Sequence, residues 1–290
     1  MKTPFAMHTA KRKIISDLAD FHYLTVSQLT TLEYKETSRS YVHKEVNELV
    51  AADLVLALPR QVVTEPRLYT LTAKGRRVAT QLGKEPYKRF RVGEEKERGE
   101  NLYFVAHTIA VTDVLIAARL LARTVPGIRL NRMLTERELK RTIYVTVPEQ
   151  PATVMTQRKL CIEPDAAVDF TIQDTWQDFL YLEVYRHHLA ATRFQHKIQG
   201  YVTAVATGLH EQLFQTPAMS VAVIATTEKL AGTLKQWAEE ALVALHRADA
   251  GDRFFFCYFD TATASPEELF LSPVWEQAFG TTKTPLLVLE

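Results

Sequence analysis

The most constraining feature of this sequence is the order of helical and strand patterns in its first 82 residues. Apolar residues recur at helical spacing in three short stretches, residues 11–21, 26–32 and 39–50. Two strand-like stretches then flank a turn that contains two prolines, and Thr72 can cap a closing helix. Three short helices, a β-hairpin and a further helix predict a helix-turn-helix module that is extended by the hairpin.

The end of this module is similar to a known pattern. Tyr69-Thr-Leu-Thr-Ala-Lys-Gly75 resembles the last strand and the capped helix of many bacterial winged-helix domains. The resemblance implies a winged helix-turn-helix DNA-binding domain over residues 8–83, in which the third helix enters the major groove.

The polar side chains of the third helix and of the hairpin are the predicted contacts to DNA. The residues predicted to reach base edges are Arg39, His43, Lys44 and Asn47. The residues predicted to bind phosphate oxygens are Ser38, Ser40, Arg60 and Arg67. Two alternatives stay open: the polar face is only a solvated helix surface, or the module binds protein. Glu45 and Glu48 on the same helix weaken its positive field.

Charge is distributed unevenly along the chain. Lysine and arginine total 35 against 34 aspartates and glutamates, which gives a net charge of +1. Residues 1–100 hold 18 basic and 13 acidic residues, whereas the remainder holds 17 and 21. The basic excess therefore falls on the part predicted to bind DNA. Residues 84–100 are densely charged and are predicted to form a linker.

Residues 101–290 alternate between helical and strand patterns. The predicted order is helix, strand, strand, strand, helix, strand, helix, strand, which indicates an α+β or α/β domain with a mixed sheet. The helices are predicted over residues 102–123, 190–213 and 228–246, and the strands over 142–147, 162–172, 179–185, 220–225 and 253–259. Residues 131–141 are predicted to form a further short, polar helix.

Two carboxylates in this region have a spacing that carries chemistry. Asp165 precedes one predicted strand, and Glu183 lies near the end of the next. Adjacent strands that each present a carboxylate at one sheet edge can hold Mg²⁺, which prefers one or two carboxylates plus waters. Such a metal could polarise a phosphate and generate the attacking hydroxide.

This arrangement resembles the Pro-Asp…(Asp/Glu)-x-Lys nuclease architecture, with one departure. The lysine of that pattern falls on Tyr185, and Lys197 on the following helix is the residue that could replace it. The alternative is that Asp165 caps a turn, Glu183 pairs with a basic neighbour and the domain has lost catalysis. A magnesium ion is expected only under the nuclease hypothesis, and no other cofactor is expected.

Over residues 11–260 the chain resembles the replication-relaxation family of bacterial mobile elements. The motifs that carry the resemblance, besides the N-terminal module, are His107-Thr-Ile-Ala-Val-Thr-Asp113, Glu163-Pro-Asp165, Leu182-Glu183, Lys197-Ile-Gln-Gly-Tyr201 and the strand that begins at Ser220. The resemblance implies a winged helix joined to a restriction-endonuclease-like domain, with a role in plasmid replication or DNA relaxation. Many members read Glu-x-Asp where this chain has Glu183-Val-Tyr185, so the acidic site is reduced here.

These observations predict a sequence-specific protein that binds double-stranded DNA in replication initiation, DNA relaxation or transcription control. Residues 101–290 are then a degenerate nuclease-like domain for homodimerisation or for binding replication or mobilisation proteins. One alternative is a metal-dependent nickase that uses Asp165, Glu183 and Lys197, and another is a winged-helix adaptor that binds protein. The longest apolar stretch is interrupted by His107, Asp113 and Arg119, so no membrane span is expected and a cytoplasmic location is predicted.

Overall fold

The computed structural model describes residues 7–33, 38–60, 62–86, 102–140, 142–148, 157–187 and 190–289. The chain divides into two compact units, Met1–Ile116 and Ala117–Glu290. From residue 87 onward, the predicted linker over residues 84–100 lies outside the described part of the chain. The predicted start of the second domain, residue 101, precedes the unit boundary because the first half of one long helix belongs to the first unit.

The first unit contains the predicted order of helices and strands. Its elements are α1 (Thr9–Phe21), α2 (Val26–Glu33), α3 (Arg39–Ala51), β1 (Val55–Ala57), β2 (Tyr69–Leu71), α4 (Ala73–Gln81) and the first part of α5 (Leu102–Thr124). Strands β1 and β2 pair antiparallel, with Val55 opposite Leu71. Three helices, a hairpin and a closing helix are compatible with the predicted winged helix.

Helix α2 begins with a reciprocal cap that also fixes α5. The Thr25 hydroxyl accepts a hydrogen bond from the backbone N–H of Gln28 at 3.1 Å, and the Gln28 side-chain oxygen accepts from the N–H of Thr25 at 2.9 Å. The Gln28 amide then donates to Asp113 at 2.8 Å and to the Ile109 carbonyl at 3.1 Å. The first half of α5 is therefore tied to the helical unit, where Phe104 also packs edge-on against Tyr23.

Helix α4 has the threonine cap that the sequence predicts, and a glycine three residues later. The Thr72 hydroxyl accepts from the N–H of Gly75 at 3.0 Å. A Cβ atom at Gly75 would lie 1.9 Å from the carbonyl oxygen of Leu54. Since that oxygen belongs to the backbone and also accepts from the N–H of Thr72, the corner between α3 and β1 leaves no room for a side chain at residue 75.

The second unit is built on a mixed sheet of seven strands, which confirms the predicted fold class. The strands of this unit are β3 (Ile128–Thr135), β4 (Ile143–Pro148), β5 (Gln157–Ile162), β6 (Ala166–Ile172), β7 (Trp176–Tyr185), β8 (Ser220–Ala225), β9 (Phe254–Tyr258), β10 (Trp275–Gln277) and β11 (Lys283–Thr284). The order in the sheet is β11-β10-β9-β8-β7-β6-β3, with β3, β6 and β7 antiparallel and β7, β8 and β9 parallel. Strands β4 and β5 form a separate antiparallel pair. The helices are α6 (Glu136–Leu139), α7 (Ala191–Ala206), α8 (Leu209–Phe214), α9 (Glu228–Ala244), α10 (Pro266–Leu271) and a 3₁₀ helix (Ala248–Arg253).

The predicted helix over residues 131–141 is wrong in its first half. Residues 131–135 belong to β3, and only Glu136–Leu139 is helical. Arg132 lies opposite Asp169 of β6 and donates to its buried carboxylate at 2.9 Å. Pairing with a strand that is distant in sequence outweighs the polar, helix-compatible composition of this segment.

Two other predicted elements are each divided in the structure. The strand predicted over residues 162–172 is interrupted near its start, because Ile162 ends β5, the chain turns at residues 163–165 and β6 begins at Ala166. The helix predicted over residues 190–213 is α7 and α8, separated at Gly208, whose φ of 70° is left-handed.

Alternate residues of β7 face α7 and form the interior of this layer. Phe179 and Tyr181 of β7 pack in one buried cluster with Phe194, Ile198 and Tyr201 of α7. Glu183 continues the same row of the strand and is 1% exposed. The alternation therefore carries a carboxylate into an apolar interior beneath α7.

The segment Phe104–Thr124 of α5 is long and apolar enough to cross a membrane by length and composition, and half of its most apolar window is buried. Core helices of soluble proteins meet the same criteria. The segment is therefore only a weak indication of a membrane span, and the described residues contain no clear one.

Candidate nucleic-acid interface and carboxylate cluster

The outer face of α3 carries the predicted DNA-reading side chains. The exposed residues are Arg39, Ser40, His43, Lys44 and Asn47, and Ser38 at the start of the helix is half-buried. Arg39, His43 and Asn47 succeed one another at intervals of four residues, so they form one row along the helix. The Asn47 amide lies 3.5 Å from Nε2 of His43. The structure thus brings the predicted base-reading residues onto one accessible surface, which we call the α3 face.

The two acidic residues of α3 both contact α1, but only one of them is buried. Glu45 is buried, and its carboxylate lies 2.9 Å from His8 and 3.8 Å from Nζ of Lys11. Nζ of Lys11 also donates to Glu48 at 2.6 Å, and this hydrogen bond holds the pKa of Glu48 below its usual range. Lys11 lies on α1 and is only 4% exposed. Both carboxylates therefore pair with Lys11, although the Glu48 side chain is 42% exposed and its charge also interacts with Lys44.

The two hairpin arginines are both exposed. Arg67 precedes β2, and Arg60 lies in the turn, where its guanidinium donates to the Val63 carbonyl at 3.2 Å. The Val63 side chain at this tip is 87% exposed. Both arginines belong to the same unit as α3 and are accessible to a phosphate backbone.

In the second unit, Glu183 is the centre of a buried polar cluster. One carboxylate oxygen accepts from the Tyr201 hydroxyl at 2.5 Å. The other accepts from Nζ of Lys197 at 2.5 Å and from the Tyr185 hydroxyl at 3.4 Å. Tyr201 and Lys197 lie one helical turn apart on α7, so a single helix supplies a donor to each oxygen.

Asp165 lies beside this cluster at the end of β7. Its carboxylate accepts from the N–H of Val184 at 2.8 Å, and its own N–H donates to the Leu182 carbonyl at 3.2 Å. The two partners of Asp165, Leu182 and Val184, flank Glu183 in β7, so Asp165 is held next to Glu183. The Asp165 charge acts on both Glu183 and Lys197. The structure therefore brings Asp165, Glu183 and Lys197 together.

Burial governs the protonation of the cluster. Burial raises the pKa of Glu183 to about 7, against the opposing charge of Lys197. Burial lowers the pKa of Lys197, but Glu183 and Asp165 outweigh this effect and the net shift is upward. Burial and the nearby Glu183 raise the pKa values of Tyr185 and Tyr201 well above the usual range. Lysine and tyrosines thus stay protonated and donate to Glu183.

The cluster as arranged does not fit a divalent metal. Both oxygens of Glu183 already accept hydrogen bonds, and the Lys197 ammonium places a positive charge 2.5 Å from one of them, so a dication at that oxygen would be repelled. Within the described part of the chain, no group of three or more histidine, cysteine, aspartate or glutamate side chains could hold a metal. Tyr185, which stands where the nuclease pattern has lysine, donates to Glu183 as well.

Two contributors to these clusters are not among the predicted site residues. Tyr201 follows Phe194 and Ile198 at helical spacing and so lies on the buried face of α7. Lys11 precedes Ile14, Ile15 and Leu18 at the spacing of one helix face. In both cases the signal was a polar atom on an apolar stripe.

The first unit is thus a helical module with a hairpin, and the second is a mixed α/β sheet with a buried carboxylate cluster. The family described as Replication-relaxation matches residues 15–216, which is more than half of the chain. The chain belongs to the replication-relaxation family. The match includes the α3 face, the hairpin and the whole carboxylate cluster.

Other comparisons add little. A search of curated protein sequences found no significant match. Among solved structures, the restriction endonuclease FokI aligns over 92% of this chain and 48% of its own, with 11% identity and a TM-score of 0.27. This chain therefore spans about half of the length of that protein, and a likeness at this score carries no argument.

Proposed function

We propose that the protein is a sequence-specific DNA-binding protein of a bacterial mobile element, acting in the cytoplasm in replication initiation, DNA relaxation or transcription control. The observation that carries this proposal is the separation of charge on α3. Arg39 and Lys44 are exposed, whereas Glu45 and Glu48 pair with Lys11 on α1. Lys11 therefore offsets much of the negative charge that would weaken the field of the α3 face toward DNA.

On this proposal α3 lies in the major groove of double-stranded DNA. Arg39 and Lys44 suit guanine acceptors, and Asn47 suits the donor and acceptor of adenine. Arg60 and Arg67 of the hairpin, with Ser38 and Ser40, bind phosphate oxygens and fix the register of the helix.

The second unit supplies assembly rather than chemistry. Two copies would place two α3 helices on half-sites about one helical turn apart, which strengthens an interface with few basic residues. Replication or mobilisation proteins are the other expected partners of this unit. Support for a catalytically silent role comes from Glu183, whose two oxygens are both engaged by side chains of the protein.

The test is DNA binding by fluorescence anisotropy, with fragments of the protein's own replicon at several salt concentrations. We expect Arg39→Ala and Lys44→Ala each to weaken specific binding about tenfold or more and to reduce the salt dependence. Arg12→Ala is the matched control, because Arg12 is exposed on α1 of the same unit. Binding that survives both α3 substitutions would support the protein-binding adaptor, and no salt-sensitive binding to any fragment would refute the proposal.

The metal-dependent nickase remains as a second candidate, because Asp165, Glu183 and Lys197 converge. It predicts relaxation of supercoiled plasmid with Mg²⁺ or Mn²⁺ that is lost in Asp165→Ala. The engaged state of Glu183 leads us to expect no relaxation with either metal. Cleavage that depends on Asp165 would establish the nickase in place of a silent domain.

A further inference from the structure

We propose that Lys197 is the built-in counter-ion of the Asp165–Glu183 pair, standing where a divalent cation would otherwise bind, and that removal of its ammonium creates a divalent-metal site. This inference rests on the catalytically silent second unit proposed above. It assigns a physical cause to the silence and a ligand class to the site that would be exposed.

The position of the ammonium carries the first step of the argument. Nζ of Lys197 lies 2.5 Å from Glu183, which is 1% exposed, while the lysine side chain itself is 22% exposed. The partly exposed lysine side chain thus leads from the surface to the buried carboxylate. A metal ion bound at the same Glu183 oxygen would have to displace this ammonium.

The charges around the cluster carry the second step. Asp165 and Glu183 supply two negative charges, and Lys197 supplies a positive charge that both carboxylates stabilise. Arg193, one turn earlier on α7, is exposed and adds positive potential at Lys197 and Tyr185. A dication would enter a site whose outer side is already positive, so it is disfavoured while Lys197 is present.

Removal of the ammonium reverses this balance. Without Lys197, the repulsion between Asp165 and Glu183 loses the positive charge that opposes it, and one Glu183 oxygen loses its closest donor. Hard oxygen ligands of this kind suit Mn²⁺ and Mg²⁺. The tyrosine bond to the other oxygen remains and keeps Glu183 oriented.

The experiment measures Mn²⁺ binding by the full chain at pH 8, without DNA, from loss of the free-ion paramagnetic resonance signal and from the melting midpoint. We expect wild type and Lys197→Arg to show no saturable binding. We expect Lys197→Ala to bind one Mn²⁺ and to gain about 4 °C at ten times the Kd. The double variant Lys197→Ala, Asp165→Asn should lose the gain.

Two results would overturn the inference. One is Asp165-dependent Mn²⁺ binding by wild type, and the other is a Lys197→Ala variant that neither binds Mn²⁺ nor is stabilised by it. Where Lys197→Ala does not fold without metal, recovery of the folded circular-dichroism spectrum on addition of Mn²⁺ supports the inference, and no recovery counts against it. Because DNA is absent, failure of DNA binding by the first unit leaves this result unaffected.

Discussion

Helices α3 and α7 use the same pair of residue types, lysine and glutamate, to opposite effect. In the first unit, Lys11 of α1 binds the carboxylates of α3 and offsets their charge, while Arg39 and Lys44 stay exposed. In the second unit, Lys197 of α7 turns inward and binds Glu183 of the sheet. The first pairing releases side chains for an external partner, whereas the second engages the side chains that a reaction would need.

The contrast shows that residue identity alone does not define a functional site. Arg39 and Lys44 are exposed to solvent, so a ligand can reach them. Asp165, Glu183 and Lys197 have the chemistry of a nuclease centre, but their strongest partners lie within the protein. Whether charged side chains form a binding surface or an internal ion pair therefore depends on how deeply they are buried and on whether other side chains already bind them.

The largest expected effect follows from removal of one lysine from each helix. Lys197→Met should destabilise the protein by about 3–5 kcal/mol, because it leaves the buried Glu183 without its cation. Lys44→Met removes an exposed charge and should change stability by less than about 0.5 kcal/mol. Urea unfolding in the presence of a chelator measures both.

Equal effects of these two substitutions would contradict the distinction between the helices. A Lys197→Met variant as stable as wild type would show that the ion pair contributes nothing, and that Glu183 is accommodated by the tyrosines alone.

The second prediction concerns pH. The pKa of Glu183 is raised from an ordinary 4.5 to about 7 in the folded protein. Folded protein therefore binds this proton more tightly than unfolded protein, so the stabilisation is complete below about pH 4.5 and is lost as pH rises through 7. The full shift corresponds to about 3 kcal/mol.

Glu183→Gln removes this titration. Its free energy of unfolding should vary less between pH 4.5 and 7.5 than that of wild type, which should fall over the same range. The exposed Glu240, on α9 in the same unit, provides the matched control as Glu240→Gln. A Glu183→Gln profile parallel to that of wild type would show that Glu183 does not titrate in this window.

The third prediction, with the smallest expected effect, concerns Lys11 of α1, which pairs with the acidic residues of α3. Lys11→Met should cost about 1–3 kcal/mol, since Glu45 is left buried without its neighbouring cation. It should also weaken DNA binding, because Glu45 and Glu48 then act on the α3 face unopposed. Anisotropy and urea unfolding on one preparation measure both effects.

Lys13→Met is the control for Lys11→Met. Lys13 lies on the same helix, its side chain is half-exposed, and its Nζ lies 2.9 Å from the carboxylate of Glu33. Loss of an exposed ion pair of this kind should cost at most about 1 kcal/mol. DNA affinity that is insensitive to Lys11→Met would mean that the acidic pair has no influence on the interface.

The elements of the first unit could be predicted because their signals are local. The apolar residues that define each helix are close together in sequence, and each cap, at Thr25 and at Thr72, joins two residues three positions apart. Strand β3 could not be predicted, since its state depends on Asp169 and the partner strand about forty residues away. Local pattern defines a helix, but strand pairing is settled by the whole sheet.

The candidate sites divide in the same way. Asp165, Glu183 and Lys197 could be named from their order along strands and helix, and the adjacency of β6 and β7 brings the carboxylates together. Which donors fill the Glu183 oxygens depends on how α7 packs, and spacing alone does not give that. The neutralisation of Glu45 and Glu48 likewise depends on the contact between α1 and α3.

The contact between Gly75 and the Leu54 carbonyl bears on how such a protein can change over generations. A chain that keeps the backbone arrangement between α3 and β1 has no room for a side chain at residue 75, so residue 75 must remain glycine. The exposed positions of α3 carry no such constraint on folding. If α3 binds DNA as proposed, descendants of this protein can therefore change their target sequence through α3 while the scaffold that presents the helix is inherited unchanged.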